Sequence, residues 1–263
     1  MWPLHDRVVV VTGASSGVGR ATALAAAREG AQVVVAARRR ERLHQVAADI
    51  RRLGSVAHVF PADLADHAAA TWLVGATIVR LGRIDVLVNN AGYALYARIE
   101  DGHPDDFERI FAVNVLSPLA AMRAAIPQMR KQGEGHIVNV ASLAAARGLP
   151  ALGAYCATKA ALVSATEAAR VELAGSGVGA SVISVGPVRT EFVEAAEVRG
   201  ARPRFAGRYR RGALAPEQVA QAILRCVRTG AGDVTLPRLG RLYFGLAPLL
   251  PGLVDAVLRR VML

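Results

Sequence analysis

The chain has 263 residues, 53% hydrophobic and 20% charged, which is long and apolar enough to bury a large core and excludes a disordered polymer. Two cysteines without paired spacing, Cys156 and Cys226, read as reduced thiols of a cytoplasmic protein, and no stretch free of charge and histidine exceeds the sixteen residues of 173–188, so a transmembrane helix is not expected. A formal net charge of +11 invites an anionic partner, but with 5% aromatic residues and no nucleic-acid motif it gives no reason to expect nucleic acid.

In chain order, a valine-rich run predicts a first strand over Arg7–Thr12, too early to leave room for a signal peptide. Further strands are predicted at Gln32–Ala37, Val56–Pro61, Ile84–Val88, His136–Ala141, Ala180–Ser184 and Asp233–Leu236. Helical periods fill Gly17–Glu29, Arg39–Leu53, Asp66–Leu81, Asp105–Lys131 and Ala154–Ala174. This alternation means βαβ crossovers and an α/β fold, a parallel sheet of about seven strands with helices on both faces. Without repeats or linkers, residues 1–239 read as one domain and 240–263 as an apolar, basic tail.

The first strand enters Gly13, Ala14, Ser15, Ser16, Gly17, Val18 and Gly19, and a helix follows. Glycines there let backbone amides approach a diphosphate at a helix N-terminus. The second strand ends in Arg38, Arg39 and Arg40 where a dinucleotide fold usually carries a ribose-binding carboxylate. A guanidinium grips a 2′-phosphate that a carboxylate would repel, so the pattern reads as NADP(H) over NAD(H). A helix merely opening with solvated arginines is the blander alternative.

Tyr155 and Lys159 stand four apart in a helical segment and share a face. Only two lysines occur among 32 basic residues, and one is here. An ammonium beside a phenol stabilises the phenolate and brings the tyrosine toward acid/base use at neutral pH. Ser142 closes the preceding strand, at the carboxyl end where ligands meet a parallel sheet.

Together these motifs resemble the short-chain dehydrogenases/reductases from Arg7 to about Leu236. Thr12–Gly19 fits the family's TGxxxGxG, Asn89-Asn90-Ala91-Gly92 its NNAG, Asn114 its helix asparagine, and Ser142, Tyr155 and Lys159 its serine and YxxxK. The resemblance implies a single-domain, Rossmann-type doubly wound sheet and an NADP(H)-dependent carbonyl reductase or alcohol dehydrogenase. Tyr155 would be the proton donor, Ser142 would bind the substrate oxygen, Lys159 the nicotinamide ribose, and Asn114 a proton-relaying water. Asp63 and Leu64 would lie at the adenine, Asn90, Ala91 and Gly92 along the cofactor, and Pro187, Val188 and Thr190 at its nicotinamide end. For Asn90, bracing the sheet is the equal alternative. Leu95, Tyr96, Leu149, Val188 and Phe192 are expected to line an apolar pocket for a lipid, steroid-like, polyketide or 3-oxoacyl ketone or alcohol. No metal site is expected.

The chain departs from the family pattern in having Val185 where a proline is usual, and in its ending. A homodimer or homotetramer is expected. Residues 199–263 hold 12 basic and 3 acidic residues, so most of the excess charge lies in the substrate loop and tail. The arginines of Glu191–Gly212, at the pocket entrance, either dock an anionic carrier or are solvated loop charges. The tail either packs over its own subunit or a partner's as a pocket cover, the favoured reading, or lies on a membrane surface. A non-catalytic NADP-binding partner or sensor, and a membrane-peripheral binding protein, are the alternatives to an enzyme.

Overall fold

The computed structural model describes residues 3–200 and 212–262. The arginines expected between residues 202 and 211 at the pocket entrance lie outside the described residues.

Seven strands form one parallel sheet: β1 (Val8–Thr12), β2 (Gln32–Ala37), β3 (Ala57–Pro61), β4 (Val86–Asn89), β6 (Gly135–Ser142), β7 (Val178–Val185) and β9 (Asp233–Leu236). Their order, β3-β2-β1-β4-β6-β7-β9, reverses direction between β1 and β4. Val9 pairs with Val33 on one side and Val86 on the other. Such a sheet must be covered on both faces, and the valines of β1 divide accordingly. Val9 and Val11 pack in a core beneath α1 (Gly17–Arg28), α2 (Arg40–Arg52) and α7 (Pro216–Thr229). Val8 and Val10 face the opposite core, under α3 (His67–Leu81), α5 (Ser117–Gln132) and α6 (Gly153–Glu172).

All seven predicted strands are present, two with the predicted bounds and five with ends moved by at most two residues. Three features differ from the sequence reading. The helix expected over Asp105–Lys131 is divided: α4 (Pro104–Phe111) and α5 are joined by a turn of π-helix at Ala112–Leu116, which carries Asn114. π-bulges widen a helix locally and often mark functional sites. Helix α7, opened by Pro216 and closed by left-handed Gly230, has no counterpart among the predicted elements, although Val219, Ile223 and Val227 repeat every four residues. The tail folds into α8 (Gly240–Leu249) and α9 (Pro251–Met262). Pro251 starts α9, where a proline N–H is not needed, while Pro248 stands inside α8 near its end and removes one of its backbone hydrogen bonds.

Candidate active site

The carboxyl ends of β1, β4, β6 and β7 meet at the switch point, where open α/β sheets bind ligands. The loop after β1 is shaped by glycine. Gly13 and Gly17 have φ of +66° and +52°. A side-chain carbon on Gly19 would sit 2.4 Å from the Gly13 carbonyl oxygen, and one on Gly17 would sit 2.9 Å from Thr190 Cγ2. The second approach brings the segment after β7 against the loop. Ser16 precedes α1 without capping it, and no acidic residue lies in the helix's first turn. An uncapped, carboxylate-free N-terminus beside a tight glycine turn suits a diphosphate.

Thr12 ties this loop to the next strand. Its Oγ1 donates to the Val88 carbonyl (3.3 Å) and accepts from the amides of Asn90 and Ala91, both at 3.0 Å. Asn90 Nδ2 donates to the Thr12 carbonyl at 2.9 Å. Asn90 therefore braces β4 against the loop, the structural role weighed for it above.

Of the arginines after β2, Arg39 reaches the loop, donating to Ser15 Oγ (3.1 Å) and Ser16 Oγ (2.7 Å). Its Nη1 also donates to Glu191 Oε2 at 3.3 Å, and Arg42 grips the same carboxylate. Burial raises the Glu191 carboxyl, but the hydrogen bonds from Arg42 and Arg39 outweigh it and hold the group below its ordinary value. Arg38 is exposed and, among the described residues, makes no hydrogen bond. Sequence reasoning named both and put Arg38 forward as the one to test, whereas the structure brings Arg39 to the loop. Asp63 is exposed and accepts from the Ala65 amide, while Leu64 is buried in the α3-side core.

The chemistry-bearing residues gather around Gly92. A side-chain carbon there would lie 2.9 Å from Asn114 Oδ1 and 3.5 Å from Lys159 Nζ. Fully buried Asn114 accepts from the Tyr93 amide (3.1 Å) and donates to the Tyr93 carbonyl (3.0 Å) and to Thr158 Oγ1 (3.1 Å). Lys159 donates to the Val140 carbonyl at 2.9 Å, two residues before Ser142 on β6. Its Nζ is 5.9 Å from the centroid of the Tyr155 ring. Burial lowers the Lys159 ammonium to about 8. Ser142 accepts from the Ala144 amide at 3.1 Å and so caps the short turn after β6. Beneath the site, Asn89 donates to Asn139 and Asn139 to Thr166, each at 2.8 Å, fixing β4, β6 and α6 together. Sequence reading found Thr12 and Asn89 only as motif members and did not find Thr158 or the bonds of this ladder, because hydroxyl and amide partners far apart in sequence leave no local pattern.

The expected pocket walls divide. Leu95 and Tyr96 form β5, which pairs with β8 (Glu197–Val198). They share one apolar cluster with Leu149, Tyr155 and Phe192. The Phe192 and Tyr155 ring centroids are 6.0 Å apart. Val188, partly buried, packs against the α1-side core and bridges to Leu214 rather than joining that cluster. Met262, from the end of the tail, also packs on the Tyr155 cluster. Among the described residues no cluster of ligands suits a metal.

Comparison with known proteins agrees with this architecture. The family described as short chain dehydrogenase matches residues 7–199. "Probable oxidoreductase EphD" of Mycobacterium tuberculosis is 34% identical over 85% of this chain and 40% of that protein. "Uncharacterized oxidoreductase Rv1543" of the same species is 35% identical over 84% of this chain and 63% of that protein. The chain thus spans less than two thirds of either relative. A short chain dehydrogenase/reductase from Burkholderia phymatum, solved with NAD, superposes with a TM-score of 0.88 at 28% identity, covering 96% of each chain. A metagenomic short-chain oxidoreductase solved with NADP gives a TM-score of 0.76 at 30% identity, over 89% of this chain and 98% of that one.

Proposed function

The chain belongs to the short-chain dehydrogenase family, and from that premise we propose that it is a nicotinamide-dependent oxidoreductase, selective for NADP(H), acting on a hydrophobic ketone or secondary alcohol. The bound cofactor supplies the hydride chemistry. Gly13 to Gly19 and the α1 N-terminus hold its diphosphate, and Arg39, aided by Arg38, its 2′-phosphate. Asp63 and Leu64 flank the adenine, Ala91 and Gly92 floor the crevice, and Pro187, Val188 and Thr190 close the nicotinamide end.

Tyr155 passes its hydroxyl proton to the substrate oxygen in reduction and takes it back in oxidation. Ser142 donates a hydrogen bond to the same oxygen, where negative charge develops. Lys159 holds the ribose hydroxyls and stabilises the phenolate electrostatically. Asn114 orients a water that returns the proton to solvent. The observation that carries this reading is the buried ammonium of Lys159, anchored to β6 and set 5.9 Å from the ring of Tyr155. Sensing needs no proton donor, so the complete set of Ser142, Tyr155 and Lys159 speaks for catalysis over cofactor binding alone. The apolar cluster around Tyr155 supports a hydrophobic substrate of lipid, steroid-like, polyketide or acyl type. We place the protein in the cytoplasm as a homodimer or homotetramer.

The test is Tyr155→Phe. Turnover of NADPH with a ketone panel should fall by at least about a thousandfold while NADPH binding, read by cofactor fluorescence, persists. Undiminished turnover would refute the assignment. Tight NADPH binding with no turnover by the unaltered protein on any panel member would favour a sensor.

A further inference from the structure

The tail presents two apolar faces, and only one is used within the chain. Gly240 and Ala247 of α8 are buried, and Met262 of α9 reaches the Tyr155 cluster. On the other side Leu239, Leu242, Leu246 and Leu249 follow the i, i+3, i+7, i+10 spacing of one helical face and are 75%, 62%, 49% and 74% exposed. On α9, Leu253 and Val257 are likewise 61% and 52% exposed. The two helices meet at 116°.

Charge selects what covers this face. Arg238, Arg241, Arg259 and Arg260 are all exposed at its two ends. The segment's one carboxylate, Asp255, is held by Arg147, whose Nη2 donates to both of its oxygens at 2.6 and 2.7 Å. That pair anchors α9 to the turn after Ser142 and neutralises the segment's one acidic side chain. A second copy seated on the same face would bring eight arginines together with no carboxylate left free to offset them, an arrangement that opposes association. Anionic lipid offers the complement: phosphates for the arginines and acyl chains for the leucines. Helices of 10 and 12 residues, about 15 and 18 Å long, are too short to cross a bilayer and suit its interface.

We propose that the outward face of α8 and α9 docks this protein on an anionic membrane surface, with the arginines at the phosphates and the leucines among the acyl chains. Docking rests on the tail alone and stands or falls separately from the catalytic reading. Its consequence for that reading is positional: the element on the lipid is the one whose inner side closes the Tyr155 cluster, so the pocket lies beside the bilayer.

The test is flotation of the full chain with vesicles of phosphatidylcholine alone or mixed with phosphatidylglycerol. The chain should float with the mixed vesicles and at least about tenfold less with phosphatidylcholine, and raised salt should release it. The double variant Leu246→Glu, Leu253→Glu should lower partitioning by about tenfold or more, and Arg238→Glu, Arg241→Glu should do likewise. All these side chains are exposed, so the melting temperature should hold, which excludes misfolding as the cause. No flotation of the unaltered chain, or equal flotation of the variants, would overturn the proposal. So would a smaller mass for the leucine variant by light scattering, which would make the face a subunit interface.

Discussion

Arg39 and Glu191 face each other across the cofactor crevice, Nη1 to Oε2 at 3.3 Å, joining the end of β2 to the segment after β7. Both side chains are roughly two-fifths exposed, so the pair itself contributes little to stability. Its interest is competitive: the guanidinium that would grip a 2′-phosphate is shared with a carboxylate of the chain itself. Arg39→Asp should raise the Kd for NADPH by at least about tenfold and leave that for NADH within about threefold. Glu191→Gln should tighten NADPH by up to about fivefold, because the arginine no longer leaves a charged partner. Fluorescence titration with both cofactors reads each effect, and equal changes for NADPH and NADH would make the pair a mere surface contact.

Lys159 has a pH signature in the cofactor-free protein. Its folded value of about 8 lies below the ordinary lysine value of 10.5, so between these limits the unfolded chain holds the extra proton. Stability therefore rises with pH through that window, by on the order of 3 kcal/mol from this group. Lys159→Met should remove this rise, as seen by urea unfolding of both proteins at pH 7.5 and 10. The same variant should lose most turnover at neutral pH.

His136 acts on the acid side. The ring is buried and its Nε2 lies 2.7 Å from Ser181 Oγ, which itself donates to the Ala231 carbonyl. The imidazole is thus a neutral Nε2–H donor, and burial lowers it from 6.5 to about 4. Its contribution is complete above pH 6.5 and is lost as pH falls toward 4, since only the unfolded chain takes up the proton in between. From pH 7 to 5 the loss should be about 2 kcal/mol. His136→Gln should flatten that part of the stability–pH curve, although its stability at pH 7 should be lower.

Two glycines should respond oppositely to alanine. At Gly19 the new carbon would sit 2.4 Å from a backbone oxygen of the loop. Gly19→Ala should abolish detectable cofactor binding and lower the melting temperature. Gly75, inside α3, has no atom within 4 Å of the added carbon and an ordinary helical backbone. Gly75→Ala should stabilise the protein by about 0.5–1 kcal/mol with cofactor affinity unchanged. Thermal melts with and without NADPH read both.

Much of the site was legible in the sequence because its constraints are local. Tyr155 and Lys159 are one helical turn apart, the glycine loop is contiguous, and most strands are rich in β-branched residues. What lay beyond reading were contacts across the chain. Thr12 with Asn90, Asn114 with Thr158, and Asn139 with Thr166 link residues 78, 44 and 27 positions apart. No spacing rule connects them.

The charge illustrates the same division. Sequence alone determined the sign, the size and the concentration of the excess in residues 199–263, along with the parallel α/β fold and the Ser142, Tyr155 and Lys159 set. Composition is additive and helical or strand periodicity is short-ranged, so neither needs folding to be seen. Tertiary structure decided which arginines are committed: Arg39 to the glycine loop and Glu191, and Arg147 to Asp255. It also turned an apolar tail into two helices with one face on the Tyr155 cluster and the other toward solvent. Those outcomes depend on which distant surfaces packing brings within a few ångströms, and that is set by the whole sheet and its helices.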